Sequence, residues 1–109
     1  MSANTFPKSQ VVQLDQSVEY ASNSIVSKVI LKSEPGNITL FAFDVGQELS
    51  EHTAPFDALV QVLEGKVEIK IAGENHTLEK GAGIIMPANI PHAVKAVQRF
   101  KMLLTMIKK

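Results

Sequence analysis

At 109 residues the chain is long enough for one domain with its own hydrophobic core. Eleven basic residues cancel eleven acidic ones, so no net field favours nucleic acid or an anionic membrane surface, and neither is expected as a partner. There is no cysteine, which excludes disulfides, thiolate nucleophiles and cysteine-ligated zinc.

Met1 to Lys8 has no apolar signal-peptide core, and no apolar run approaches the roughly 20 residues that span a bilayer, so a cytoplasmic location is the default expectation. Residues 1–24 read as an extension packing on the outside of the domain. There Val11, Val12, Leu14 and Val18 suit either a strand or a short turn of helix. From residue 25 the pattern becomes short alternating segments separated by turn residues, the mark of an all-β domain with its core at about 25–107. Ile25–Lys32 is a strand closed by the turn Glu34-Pro35-Gly36-Asn37. Ile38–Val45 follows, with Leu40 and Ala42 on one face and Phe41 and Phe43 on the other.

Ala58–Leu63 is an apolar run ending at the turn Glu64-Gly65. In Lys66–Ile71 the period of two is cleanest: Val67, Ile69 and Ile71 point inward, and Lys66, Glu68 and Lys70 outward. Ala72–Asn75 is a hairpin turn, and His76–Leu78 is its short return strand, with His76 expected at the surface. Ile84–Met86, His92–Val97 and Phe100–Ile107 complete the set. So many antiparallel strands must close into a sandwich or barrel to hide their edges.

Two glycine-punctuated segments carry the chemistry. The first runs from Gly46 through His52, Ala54 and Ala58 to Gly65. The second runs Gly81-Ala82-Gly83 through Pro87 and Asn89 to Pro91-His92. Five residues separate Gly46 from His52 and Gly81 from Pro87, and His92 falls five positions after Pro87. In this spacing the chain resembles the cupin family over residues 38–107, specifically the small RmlC-like, cupin 2 conserved barrel type. The resemblance implies a double-stranded β-helix, the jelly-roll barrel.

It also implies a metal held by three histidines and one glutamate. His52 and His92 match two of those ligands, but Ala54 stands at the second histidine position and Ala58 at the glutamate. A methyl group coordinates nothing. Asn89 stands for a glycine, where asparagine tolerates positive φ, and Ala96 for a terminal asparagine. Asp57 is adjacent to the lost glutamate, but strand alternation turns it away from Ala58 unless a bulge re-aims it. Glu48 and Glu51 suit either the barrel mouth or a solvated loop.

Three readings follow. In the first, the protein binds a compact organic ligand in a pocket lined by His52, Ala54, Phe56, Ala58, Val60, Met86 and His92, with the two histidines as polar contacts and no tightly held metal. In the second, His52 and His92 hold a divalent iron, manganese, nickel or zinc ion, completed by water or substrate, in an oxygenase or isomerase of a small acid or sugar. In the third, the module is regulatory and its pocket vestigial. Catalysis stays open: His52 or His92 could also act as a metal-free general base, whereas no Gly-x-Ser-x-Gly or phosphate-cradling loop occurs. A homodimer is expected, with Leu59, Leu63 and Leu103 as interface material.

Overall fold

The structure, a computed structural model, describes residues 6–109. Nine strands are formed: β1 (Ile25–Ser33), β2 (Gly36–Phe43), β3 (Glu48–His52), β4 (Phe56–Glu64), β5 (Lys66–Ile71), β6 (Glu74–Glu79), β7 (Gly83–Met86), β8 (His92–Ala96) and β9 (Phe100–Lys108). They pair antiparallel into a five-stranded sheet, β1-β2-β9-β4-β7, and a four-stranded sheet, β3-β8-β5-β6. This is the all-β architecture that the alternating pattern predicts, with the two sheets of the jelly roll that the resemblance implies. Eight of the strands match expected segments. The exception is β3, where Leu49 alone is shielded and a period-2 signal has nothing to register. The turn after β1 is also tighter than expected, because the chain re-enters the sheet at Gly36.

Between the sheets, Phe43, Val60, Val67, Ile69 and Phe100 are fully buried, and Met102, Val62, Val94 and Ala96 nearly so. The Phe43 and Phe100 rings, 4.6 Å apart, close one end of the barrel. Gly65, between β4 and β5, sits at φ +84°, and a Cβ there would collide with the Arg99 carbonyl and Phe100. Only glycine satisfies both the left-handed backbone and that close approach.

Leu40 and Ala42 are also fully buried, although they lie on the opposite face of β2 from Phe41 and Phe43. The N-terminal segment explains this. It is neither a strand nor an ordinary helix but contains a single 3₁₀ turn, Leu14–Gln16. Val18, with Phe6, Leu14 and Tyr20, packs on Leu40, Ala42, Val26 and Ile30. Two expectations are corrected here. Val11 is 91% exposed and takes no part, and Leu63 and Leu103 lie beneath this segment rather than on a free edge.

Polar contacts fasten the segment down. The Tyr20 hydroxyl donates to Glu64 at 2.5 Å, and Lys101 Nζ donates to the Asp15 carbonyl at 2.6 Å. The Arg99 and Lys101 cations each lie 5.0 Å from the Tyr20 ring centroid. Burial, followed by the Glu64 carboxylate, pushes the Tyr20 phenol well above its ordinary range. Nearby, Asp44 accepts hydrogen bonds from Arg99 Nε and the Asn23 and Val45 amides. The Arg99 hydrogen bond first, then the two amides, hold its carboxyl down at about 2.

Candidate functional site

β3 and β8 begin in one register, Glu48 opposite Lys95 and Leu49 opposite Val94. Continued unbroken, it would set Glu51 against His92. An irregularity after Leu49 shifts the pairing by one residue and brings His52 opposite His92 instead. The shift also reverses the parity of β3, so His52 shares the inward row with His92 and, beyond it, Ile71. The two rings meet edge to face, with centroids 4.4 Å apart and planes at 66°. His92 is buried at 6% exposure and His52 is exposed at the rim.

Each ring is fixed in the same way. His52 Nδ1 lies 2.7 Å from the Ser50 carbonyl and His92 Nδ1 lies 3.1 Å from the Ile90 carbonyl. Both partners are two residues back along the chain.

On the facing sheet, Ala58 is buried between Met86 of β7 and Met106 of β9. Phe56, half-buried, lies one inward position nearer the strand end. Ala54 is half-buried in the β3–β4 connection, where its carbonyl accepts the Asn89 amide at 2.8 Å. Asn89 has φ +64°, the left-handed conformation that asparagine tolerates. The β3–β4 and β7–β8 connections thus bring His52, Ala54, Phe56, Ala58, Met86 and His92 to one end of the barrel. Val60 belongs a layer deeper, fully buried in the core.

Asp57 faces away from this end. The register from Phe56 to Val62 against β9 is unbroken, so no bulge turns Asp57 toward Ala58. Its Oδ1 accepts the Ala88 amide at 2.9 Å and its Oδ2 lies 3.6 Å from Lys109 Nζ. Asp57 thereby ties β4 to the loop that delivers His92. Sequence reasoning missed this role, because a carboxylate accepting one distant amide leaves no local pattern. Glu48 pairs across from Lys95 and Glu51 is exposed, so neither shares the inward row with the histidines. His76, expected at the surface, is half-buried opposite Ile69, on an inward position.

Among the described residues, no group of three or more histidine, cysteine, aspartate or glutamate side chains could hold a metal ion. Two imidazoles, with methyl groups where a third imidazole and a carboxylate would stand, do not fit the four-ligand metal centre that the resemblance implies. No helix among the described residues is long and apolar enough to cross a membrane.

Comparison with known proteins agrees with this architecture. Residues 39–107 match the family described as Cupin domain. A conserved Streptococcus pyogenes protein of unknown function is 38% identical, with a TM-score of 0.91 over 95% of this chain and 91% of its own. A cupin superfamily protein from Desulfitobacterium hafniense is 27% identical, with a TM-score of 0.89 over 94% of each chain. A cupin 2 conserved barrel domain protein from Leptotrichia buccalis is 40% identical, with a TM-score of 0.83 over 86% of this chain and 46% of its own. No curated protein matches.

Proposed function

Because the chain belongs to the cupin family, we propose that it uses the inherited barrel mouth to bind a compact organic ligand, with His52 and His92 as the polar contacts. One observation carries this reading. The two imidazoles form a directly opposed cross-strand pair, 4.4 Å between centroids, while the remaining family ligand positions are Ala54 and Ala58. Coordinating atoms are absent from Ala54 and Ala58, and the inward residues beside the two imidazoles, Ala58, Met86 and Ile71, are apolar, the usual make-up of a small-molecule site.

The competing reading, a divalent-metal oxygenase or isomerase working through His52 and His92, needs a third protein donor. Asp57, the nearest candidate in sequence, is committed to Ala88. Metal analysis of protein purified without chelator decides between them. Less than about a tenth of a metal per chain is expected; stoichiometric iron, manganese, nickel or zinc that disappears in His52→Ala would refute the ligand-binding proposal and restore the metalloenzyme.

A homodimer is proposed as the working form, and its interface moves from Leu63 and Leu103 to the uncovered half of the five-stranded sheet. One outward row crosses all five strands: Leu31, Ile38, Thr105, Leu59 and Ile85. Its ends are open, Leu31 being 51% and Ile85 61% exposed. Two apolar residues flank Thr105 on either side, so a twofold axis through β9 would set each row against its own mirror order. Light scattering is expected to give twice the chain mass, and Ile85→Lys to give the single mass; a monomeric parent would refute it.

A further inference from the structure

We infer that the ligand at the barrel mouth is an uncharged molecule presenting two neighbouring hydrogen-bond donors, O–H or N–H, a class that includes vicinal diols on a flat ring. This rests on the ligand-binding reading above and specifies it.

The reasoning begins with the backbone. A carbonyl oxygen can only accept, so the ring nitrogens 2.7 Å from the Ser50 oxygen and 3.1 Å from the Ile90 oxygen must each carry a proton. In a neutral imidazole with Nδ1 protonated, Nε2 holds the lone pair. Because both histidines bond the carbonyl two residues back, both are fixed in the same tautomer. The site therefore offers two acceptors on rings 4.4 Å apart. A ligand group that is itself an acceptor, such as a carboxylate or an ether, would meet lone pair with lone pair; a pair of donors satisfies both rings at once.

Charge on the surrounding elements points the same way. Among the described residues, the inward strand positions hold charged side chains only where they are exposed: Lys108 opposite Phe56, Glu74 opposite Ile71, and Lys32 opposite Asn37 at the far edge of the row that carries Ala58 and Met86. On the four-stranded sheet, Glu48, Lys95, Glu68 and Lys70 occupy the outward parity. On the other sheet, Asp57 is turned to Ala88 and Lys109. An anion or a cation entering beside buried His92 would shed hydration without meeting a buried counter-ion, a cost a neutral molecule does not incur. Ile71, Ala58 and Met86 supply apolar wall on either side.

The test is a donor-deletion series followed by NMR on the His52 and His92 ring protons. It uses chelator-treated full-length protein at pH 7.5 under argon. The probes are benzene-1,2-diol, 1,2-dimethoxybenzene, benzoate and benzylammonium. Benzene-1,2-diol is expected to shift both rings and to bind about tenfold more tightly than its dimethyl ether, the loss of two modest hydrogen bonds. That preference should vanish in His52→Ala, a change at an exposed position that leaves the core intact, and weaken in His92→Gln. Benzoate or benzylammonium binding as tightly as the diol, or the dimethyl ether binding equally well, would overturn the inference and leave the pocket reading standing. If no probe moves either ring, both fall.

Discussion

Replacing Gly65 with alanine tests whether the glycine at the β4–β5 turn is held there by backbone sign alone or also by contact. Gly73, at φ +87°, provides the control, since a Cβ there meets nothing within 4 Å. Holding alanine in the left-handed region costs about 1.5 kcal/mol, and the stiffer unfolded chain returns roughly 0.5, so Gly73→Ala should destabilise by about 1 kcal/mol. Gly65→Ala carries the same strain and a collision besides. Its Cβ would overlap the Arg99 carbonyl, and the Phe100 that follows is fully buried against Phe43. Neither can swing aside as a surface side chain would, so β9 must shift, adding about 2 kcal/mol of overpacking. The two variants should therefore differ by about 2 kcal/mol, or roughly 10 °C in midpoint for a domain of this size. Urea and thermal unfolding followed by circular dichroism read both quantities. Equal losses in the two variants, within about 0.5 kcal/mol, would refute the contact argument and leave only the backbone sign.

Four further outcomes are expected. Asp44 is held at about 2, below its ordinary 3.8, so the stability it contributes is whole above about pH 4 and disappears as pH falls through about 2; acid unfolding of Asp44→Asn should be flatter across that window. The Tyr20 phenol is raised above its ordinary 10.0, so its contribution is present below pH 10 and is lost as pH rises further; Tyr20→Phe should lose about 1 kcal/mol at pH 7 and show a smaller decline above pH 10. Asp57→Ala should speed hydrogen exchange at the Ala88 amide at least about tenfold, whereas Lys109→Ala, which removes only an exposed ion pair, should leave it unchanged. Joint introduction of Ala54→His and Ala58→Glu completes the ligand set that the family resemblance implies around His52 and His92, and calorimetry should then detect one divalent ion per chain, bound more tightly than any the parent takes up.

The strands of the barrel were legible because burial on one face imposes a period of two, and Lys66–Ile71 is its plainest case, with Val67 and Ile69 fully buried. The covered half of the outer sheet face was harder to read. Leu40 and Ala42 alternate with Phe41 and Phe43, and nothing in a period-2 run says that both sides are buried. That information resides in Val18 and Tyr20, which are far in sequence from Leu40, Ala42 and Lys101 and are joined to them only by packing. Spacing singled out His52 and His92, which the fold sets directly opposite one another, and alternation turned Asp57 outward, as the unbroken β4–β9 register does. What spacing could not supply was the tautomer of the two rings or the tie from Asp57 to Ala88, since both depend on backbone groups that every residue possesses.

The register slip in β3 makes the site depend on counting. Leu49 fixes the strand against Val94, and one surplus residue before His52 decides which side chain arrives opposite His92. Deleting Ser50 would close the slip and leave His52 opposite His92 in an unbroken ladder, whereas one more residue before His52, with the slip kept at one, would set Glu51 there and turn the imidazole outward. Substitutions at exposed Glu48, Ser50 and Glu51 are therefore the tolerant kind of change here, and added residues the intolerant kind. In a lineage of such barrels, the pairing of the two imidazoles can be broken by a single codon's gain in an exposed strand while the core, and with it the fold, goes untouched.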